Sequence, residues 1–308
     1  MYFTFGFYNK GRTMPKNKTN TKINTVAKAK PFIHYMGGKS RLLKFINDRL
    51  PKKFNNYYEP FVGGGSLFFD LQHKQSFIAD FNEELIITYQ TIKSNVEALI
   101  KDLQKHEYNK DYYMRVRSQD RDAATFAKMS NLERASRFLY LNKSGYNGLY
   151  RVNMQGQNNV GYNNKNKVVN YDAKNLRLVS AFLQNVEIEH NDFNSVKSKV
   201  KSGDFIYFDS PYFGSDQNYT KEIFSLEKHI ELKKLCDYID SIGAYFLLSN
   251  SNNETTRNLY KSYNIEYVNV RQNINPNSDK RHNTKEILVS NFSNDAVNNT
   301  DFQTVKVA

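Results

Sequence analysis

Several features that define common protein classes are missing from this chain. It contains one cysteine, Cys236, in 308 residues, which excludes an internal disulfide and a cysteine-rich metal site and favours a reducing, cytoplasmic compartment. No apolar stretch approaches the ~18–20 residues that a membrane span needs. The N-terminus has no continuous hydrophobic region of the kind that a secretory signal carries. The histidines and carboxylates show no HxxxH, HExxH or CxxC spacing, so we predict no metal site.

Common nucleotide-binding and hydrolase motifs are also absent. The glycines before Lys39 lack the earlier glycine of a phosphate-binding P-loop, and the dinucleotide pattern fails because its third glycine is Phe68. Ser66 does not stand in a GxSxG elbow. A nucleoside ligand without a pyrophosphate is therefore a better match to the glycine turns than a dinucleotide.

Acidic residues are outnumbered, and the formal net charge is +13 with a pI of about 9.4. Such an excess favours a polyanionic partner such as nucleic acid, although an AT-rich genome would also enrich lysine and asparagine. Residues 1–30 contain no acid and have no hydrophobic periodicity. We interpret them as a flexible basic arm.

The most informative stretch is residues 204–213, which have the sequence DFIYFDSPYF. The run from Phe205 to Phe208 predicts a buried strand that stops at Asp209, because Pro211 has no N–H for a central ladder. A carboxylate, a bent backbone and the ring of Tyr212 then stand together at a carboxyl strand end, where open α/β sheets bind ligands. This group suits a flat, hydrogen-bonding nucleobase, while an ordinary strand followed by a proline turn is the alternative.

A second strand end precedes it in the chain. Residues 56–69 predict a strand, a glycine turn around Gly63 and Gly65, and a helix, and glycines let the backbone pass close to a ligand. The next short strand ends at Asp80, where a carboxylate suits ribose hydroxyls. Taken singly, each of these turns is also compatible with a plain loop.

The chain changes character between residues 85 and 184. Predicted helices at Ile86–Leu103 and Asn131–Leu141 are followed by a polar, Asn- and Gly-rich hairpin region over Asn142–Asn170, in which cationic and tyrosine side chains alternate. Such side chains suit contacts with phosphates and base edges, and a solvated loop is the competing interpretation. The α/β rhythm then resumes, with strands at Val186–Glu189 and Ala244–Leu248 and a closing pair at Ile265–Val270 and Ile287–Ser290.

These motifs, in this order, resemble the Dam/DpnII-like (α-group) DNA adenine-N6 methyltransferases. The matching segments are FIHYMGGK (32–39), EPFVGGGS (59–66), ADFN (79–82), YLNKSGYNGLYR (140–151) and DSPY (209–212). The resemblance implies a Rossmann-like class I methyltransferase sheet with an inserted, mainly helical target-recognition domain. It assigns residues 31–84 and 185–292 to the catalytic domain, 85–184 to the insertion and 293–308 to a flexible tail.

The resemblance also implies roles for individual residues. The expected cofactor is S-adenosyl-L-methionine, and its implied binding residues are Tyr35, Lys39, Glu59, Phe61, Gly63, Gly65, Asp80, Asp192, Phe193 and Asp209. The implied catalytic motif comprises Asp209, Ser210, Pro211 and Tyr212. The implied DNA-binding residues are Tyr146, Asn147 and Arg151.

The chemistry of the target supports such a motif. The lone pair of the adenine N6 amine is delocalised into the ring, and hydrogen bonds to the Asp209 carboxylate and the Ser210 carbonyl oxygen favour a pyramidal, nucleophilic nitrogen. The base must leave the duplex to be reached, and it would stack on Tyr212. Arg151 suits a bidentate contact with guanine, and the family resemblance suggests the site GATC. The partner is then duplex DNA, with or without a cognate restriction endonuclease.

Two alternatives and two departures from the family remain. An N4-cytosine methyltransferase would typically have serine where Asp209 stands, and a sequence-specific DNA-binding protein that has kept the fold would have little catalytic power. Ser210 replaces the usual first proline of the motif, which predicts a looser turn and a lower rate. Gly161 stands where the recognition hairpin often has proline, which weakens the GATC assignment.

Overall fold

A computed structural model describes residues 27–35, 37–164, 171–213, 224–271 and 283–293 of the chain. Its centre is a seven-stranded sheet in the order β3-β2-β1-β4-β5-β7-β6. The strands are β1 (Tyr57–Glu59), β2 (Ser76–Asp80), β3 (Val186–His190), β4 (Phe205–Phe208), β5 (Tyr245–Ser251), β6 (Asn264–Arg271) and β7 (Asn283–Ser290). Strands β1 to β5 pair in parallel, whereas β7 runs antiparallel to both of its neighbours.

The central strands are apolar on both faces, as expected for parallel strands covered by helices on each side. In β4, Phe205 and Tyr207 enter one hydrophobic core, and Ile206 and Phe208 enter the other. All of these side chains are buried. Successive side chains of a strand point to opposite faces, so a continuous apolar run supplies both cores.

Helices cover the two faces. They are α1 (Leu43–Asn47), α2 (Ser66–Leu71), α3 (Glu83–Leu103), α4 (Lys110–Ser118), α5 (Ala123–Phe126), α6 (Asn131–Ser144), α7 (Ala173–Leu183), α8 (Leu226–Ser241) and α9 (Glu254–Leu259). Residues of α2, α3, α6 and α7 belong to the first core, and residues of α8 and of a 3₁₀ helix at Phe193–Ser198 belong to the second. None of the helices in the described ranges is long and apolar enough to cross a membrane.

Local sequence accounts for several helix ends. Asn82 caps α3 by accepting a hydrogen bond from the Leu85 amide, and Ser130 forms a reciprocal capping box with Glu133 at the start of α6. Such caps satisfy amides that lack a partner within the helix. The α3 helix kinks at Asn95, whose backbone is not helical.

The predicted α/β class is confirmed, and the predicted closing pair is β6 with β7, which the structure shows to be antiparallel. The predicted end of β5 at Leu248 is wrong, because the strand continues to Ser251. Pairing with β7 joins Ser249 to Leu288 and Ser251 to Glu286, and this ladder holds polar residues in extended conformation.

The region between β2 and β3 is helical with an irregular segment. The helix predicted to end at Leu141 runs to Ser144, and the following hairpin region has isolated bridges at Gly145–Tyr162 and Val152–Asn158. Helices α3 and α7 contact the sheet as well as each other, and the domain limits at 85 and 184 stay a prediction. Most of the predicted arm, residues 165–170 of the predicted hairpin region and nearly all of the predicted tail lie outside the described residues.

Candidate active site

Three adjacent parallel strands end in carboxylates on the same edge of the sheet. Strand β2 ends at Asp80, β1 ends at Glu59, and β4 is followed directly by Asp209. Because the carboxyl ends of parallel strands lie side by side, these acids lie close together at one edge of the sheet, which we call the strand-tip cleft. A protein with a large positive net charge therefore has a locally acidic cleft.

Glu59 is the most buried acid of the cleft, with 2% of its surface exposed. Its carboxylate accepts a hydrogen bond of 2.5 Å from the Tyr57 hydroxyl. The pKa of Glu59 is raised to about 8, mainly by burial; the negative charges of Asp209 and Asp80 contribute to this rise, and the Tyr57 hydrogen bond opposes it. The neutral form of Glu59 is therefore favoured near neutral pH unless a cation enters the cleft.

Asp80 is held by the backbone around it. Its two carboxylate oxygens accept hydrogen bonds of 2.9 Å from the amides of Gly63 and Asn82. Burial raises the pKa of Asp80, and these two amide hydrogen bonds oppose that shift. The acid is thereby fixed directly beneath the glycine turn.

The glycine turn is crowded by two tyrosines. A Cβ atom on Gly63 would lie 2.9 Å from the Tyr35 ring, and a Cβ atom on Gly65 would lie 2.9 Å from the Tyr89 hydroxyl. Gly65 also has a φ of +66°, in the left-handed region that favours glycine. The Tyr35 hydroxyl accepts a 3.1 Å hydrogen bond from the Asn82 side chain. Tyr35 thus covers the glycine turn and connects it to Asn82, two residues after Asp80.

Asp209 has two close partners. Its Oδ1 atom lies 2.8 Å from Lys39 Nζ and accepts a 2.8 Å hydrogen bond from the Ser249 hydroxyl. Lys39 is buried and also donates to the Gly37 carbonyl oxygen over 3.0 Å. The ammonium lies 4.5 Å from the centre of the Tyr212 ring, so it contacts the acid and the aromatic platform together.

The rest of the DSPY motif is held by β5 and β7. The Asn250 side chain reaches the Ser210 hydroxyl at 3.5 Å and accepts a 3.2 Å hydrogen bond from the Phe213 amide. The Tyr212 hydroxyl donates to Glu286. Burial raises the pKa of Tyr212 well above its usual value, followed by the charges of Asp209 and Glu286. The phenol is therefore a protonated hydrogen-bond donor at neutral pH.

Sequence analysis did not single out Ser249, Asn250 or Glu286 as site residues. The Ser249-Asn250 pair carried a usable signal, since two polar residues directly after a buried strand mark the same sheet edge as Asp209. Glu286 carried no such signal, because only the pairing of β7 with β5 brings it there.

A cluster of aromatic rings forms the far wall of the cleft. The rings of Phe61 and Phe193 are stacked with centroids 5.4 Å apart, and Phe193 is 2% exposed. Asp192 caps the following 3₁₀ helix and lies 3.5 Å from Lys228. Phe81, which directly follows Asp80, is 51% exposed. Its half-exposed ring has its centroid 6.3 Å from that of the His190 ring, whereas Phe193 is buried.

The three predicted DNA-binding residues lie together on the irregular segment after α6. Tyr146 is 57% exposed, Asn147 has a φ of +54°, and Arg151 is exposed. The Arg151 guanidinium donates a 2.8 Å hydrogen bond to Asn159 across the turn. We call residues 145–162 the recognition segment.

Framework side chains hold the recognition segment in place. The Val160 carbonyl oxygen accepts hydrogen bonds of 3.0 Å from both Tyr113 and Arg117, and the Asn158 amide donates to Asp120 over 2.7 Å. Asn142 donates to the carbonyl oxygens of His34 and Gly148, over 2.7 and 2.9 Å. The segment is therefore tied to the strand-tip cleft through the residue before Tyr35.

The chain matches the family described as D12 class N6 adenine-specific DNA methyltransferase over residues 35–274. The chain belongs to this family. Its mixed seven-stranded sheet with helices on both faces confirms the predicted class I methyltransferase fold. The enzyme is a site-specific DNA methyltransferase that acts on adenine N6, which decides against the N4-cytosine alternative.

Similar proteins agree with this assignment. The Type II methyltransferase M1.LlaDCHI of Lactococcus lactis subsp. cremoris is 38% identical over 290 residues, covering 91% of this chain and 99% of the relative. The Type II methyltransferase M.MjaIII of Methanocaldococcus jannaschii is 37% identical, covering 85% and 99%. The DNA adenine methylase of Escherichia coli K12 is 29% identical over 267 residues, covering 85% and 95%.

Proposed function

We propose that the enzyme uses S-adenosyl-L-methionine to methylate a flipped-out adenine of GATC in duplex DNA. The observation that carries this proposal is the arrangement around Asp209. The acid follows the central strand β4, the Tyr212 ring stands beside it, and Lys39 contacts both. A carboxylate next to an aromatic face is the arrangement that a flat base with an exocyclic amine requires.

The residues of the neighbouring strand tips fit a cationic nucleoside cofactor. When bound, S-adenosyl-L-methionine would supply a methyl group on a positively charged sulfur. The negative charges of Asp209 and Asp80 raise the pKa of Glu59, and a cation among these acids lowers the cost of ionising Glu59. Asp80 is positioned to accept from ribose hydroxyls, and Phe81 offers a stacking face for a purine. Tyr35, Gly63 and Gly65 would close the pocket over the turn.

Some predicted cofactor residues would act less directly. The Lys39 ammonium contacts Asp209, the acid proposed to bind the target base. We therefore assign Lys39 to both the base-binding site and the cofactor-binding site. Phe193 is buried behind Phe61, and Asp192 serves its own helix cap. These two residues would shape the pocket wall through packing.

In the proposed reaction, Asp209 and the Ser210 carbonyl oxygen accept the two hydrogens of the N6 amine. This concentrates the nitrogen lone pair out of the ring plane, toward the cofactor side. Because Lys39 and Ser249 both contact Asp209 Oδ1 at 2.8 Å, the incoming amine would donate to Oδ2 or share Oδ1 with them. As the nitrogen gains positive charge, Asp209 stabilises it and can take the released proton.

The recognition segment would read the DNA. Arg151 would contact guanine, and the exposed ring of Tyr146 and the strained Asn147 would meet bases or phosphates nearby. The family resemblance of this segment and the similarity to proteins named DNA adenine methylase support GATC. The relatives named Type II methyltransferases support a modification role beside a cognate restriction endonuclease.

Plasmid DNA from a methylation-deficient host that expresses the chain tests both the site and the reaction. We expect GATC sites to resist a nuclease that adenine methylation blocks, and plasmid from an Asp209→Ala strain to remain sensitive. Nucleoside mass spectrometry of the same DNA separates the claims. N6-methyladenine with unprotected GATC sites would refute the recognition sequence alone, and absence of N6-methyladenine would refute the activity of this chain.

Cofactor use has an independent test in titration calorimetry of the protein without DNA. We expect S-adenosyl-L-methionine to bind one site per chain, and Phe81→Ala to weaken that binding by about tenfold through loss of a stacking partner. No measurable heat and no protection against thermal unfolding would contradict the proposed cofactor.

A further inference from the structure

Glu286 reaches the candidate active site from β7, which runs antiparallel to both of its neighbours. It stands early in β7, opposite Ser251 of β5. Because β7 is antiparallel to β5, its first residues lie at the edge where the parallel strands end. An acid early in β7 is therefore brought beside the DSPY motif.

The contact that Glu286 makes there is specific. It accepts a hydrogen bond from the hydroxyl of Tyr212, at the far end of the ring from the backbone. The residue after Tyr212 is anchored separately, since the Phe213 amide donates to Asn250 over 3.2 Å. The face of the ring lies 4.5 Å from Lys39 Nζ, which itself contacts Asp209. The ring is thus fixed at its base, at its tip and relative to the acid.

We propose that Glu286 is a positioning residue that holds the Tyr212 ring at the height and tilt required to stack the target adenine against Asp209. The inference rests on the proposed role of Tyr212 as the platform for the flipped base. A tyrosine side chain has two rotatable torsions, and a hydrogen bond at its tip restrains both. Loss of this restraint lets the base drift from the position in which its amine meets Asp209, and small misplacements are costly in rate.

Single-turnover methylation of a short duplex with the target site measures this effect. We expect Glu286→Ala to lower the rate constant by roughly 10- to 100-fold, with little change in duplex affinity. Glu286→Gln keeps an oxygen that accepts from the hydroxyl, and we expect its rate to lie within about threefold of the wild type. A Gln variant as slow as the Ala variant would overturn the positioning role.

A double-mutant cycle with Tyr212→Phe tests whether Glu286 acts through the hydroxyl. The Phe variant lacks the donor, so in that background Glu286→Ala should change the rate by less than about twofold. If the two losses instead multiply, Glu286 acts independently of the Tyr212 hydroxyl and the inference is wrong.

A matched pair elsewhere in the fold provides the control. The Tyr263 hydroxyl donates to Asp237 over 2.6 Å, away from the cleft. Asp237→Ala removes a carboxylate from a tyrosine hydroxyl in the same way, and we expect an unchanged rate. A rate loss in this variant equal to that of Glu286→Ala would assign both effects to general loosening of the fold.

Tyr212→Ala separates this inference from the proposed function. A large loss of rate in Tyr212→Ala with a normal rate in Glu286→Ala refutes only the role of Glu286. An unchanged rate in Tyr212→Ala refutes the platform role itself.

Discussion

The strand-tip cleft and the recognition segment are built in opposite ways. The cleft places Glu59, Asp80 and Asp209 at the ends of hydrogen-bonded strands, where the ladder fixes each backbone. The recognition segment has isolated bridges and a short 3₁₀ helix at Tyr146–Gly148 in place of a strand ladder, and side chains such as Arg117 and Asp120 hold it from outside. The cleft is acidic and largely buried, whereas the recognition segment exposes Arg151 and Tyr146.

This difference matches the two proposed tasks. Methyl transfer requires donor, acceptor and acid to be fixed within a fraction of an ångström, which strand ends provide. Reading DNA requires exposed cations and rings that meet phosphates and base edges. Hydrogen bonds from neighbouring side chains hold such a segment in place without burying it. Substitutions in the two regions should therefore fail differently.

The largest expected effect is in the cleft. Asp209→Ala removes the acceptor for the target amine, and we expect about a 10²- to 10³-fold loss of single-turnover rate. Duplex affinity, measured by fluorescence anisotropy, should stay within a fewfold of the wild type because Arg151 and its neighbours are intact. The exposed Asp111→Ala is the control and should retain full rate. If Asp209→Ala still transfers methyl groups at the wild-type rate, Asp209 is not essential for the reaction.

A pair of glycines compares the packing of the two regions. Gly65 in the cleft and Gly156 in the recognition segment both have left-handed backbones, with φ of +66° and +79°, but only a Cβ on Gly65 meets other atoms. Gly156→Ala should lower the free energy of unfolding by about 1 kcal/mol through backbone strain alone. Gly65→Ala should lower it by about 2–4 kcal/mol because it also clashes with Tyr89. Urea denaturation measures both, and equal losses would contradict the tighter packing of the cleft.

The pH dependence of stability should be a property of the cleft. The folded-state pKa of Glu59 is raised from 4.5 to about 8 by burial. The folded protein then holds a proton that the unfolded chain releases, so the free energy of unfolding falls as pH rises from about 4.5 to 8. In Glu59→Gln, the total fall in the free energy of unfolding over this pH range should be smaller by roughly 2–4 kcal/mol. Identical pH profiles of urea denaturation for both proteins would show that Glu59 ionises normally.

Substitutions in the recognition segment should reduce sequence specificity more than the rate of methyl transfer. Arg151→Ala is expected to weaken binding to the cognate duplex by about 1–3 kcal/mol and to leave binding to a scrambled duplex nearly unchanged. The exposed Lys128→Ala removes the same charge outside the segment and should affect both duplexes alike. If Arg151→Ala weakens binding to both duplexes equally, Arg151 contacts a phosphate and not a base.

The smallest expected effect concerns the departure at Ser210. Proline fixes φ, so Ser210→Pro should stiffen the turn and raise turnover by a fewfold. Ser210 is buried and its hydroxyl lies 3.5 Å from Asn250, a contact that proline loses. Unchanged or lower turnover in steady-state assays would show that the serine does not slow the enzyme.

Part of this site follows from local sequence. The acids at 80 and 209 stand directly after short apolar runs, and a parallel sheet then brings them to one edge. The glycine turn was also predictable, although its cause was not. Gly63 and Gly65 are required at least in part because Tyr35 and Tyr89 approach them, and these contacts cross long sequence separations.

Local sequence could not predict the residues that reach the site only through contacts between distant parts of the chain. Ser249 reaches Asp209 because β5 extends past its apolar run along β7. Lys39 was predicted to help close the cofactor pocket, but no feature of the sequence indicated that its ammonium lies on Asp209, 170 positions away in the chain.

The amino-acid sequence by itself determined the α/β class, the family and the order of the motifs, because hydrophobic periodicity and turn residues act over short distances. Only the tertiary structure decided which side chains hold the reacting groups, because the partners of Asp209 and Tyr212 come from other strands. The reversed direction of β7, which places Glu286 at the hydroxyl of Tyr212, is set by strand pairing and by no residue near the motif.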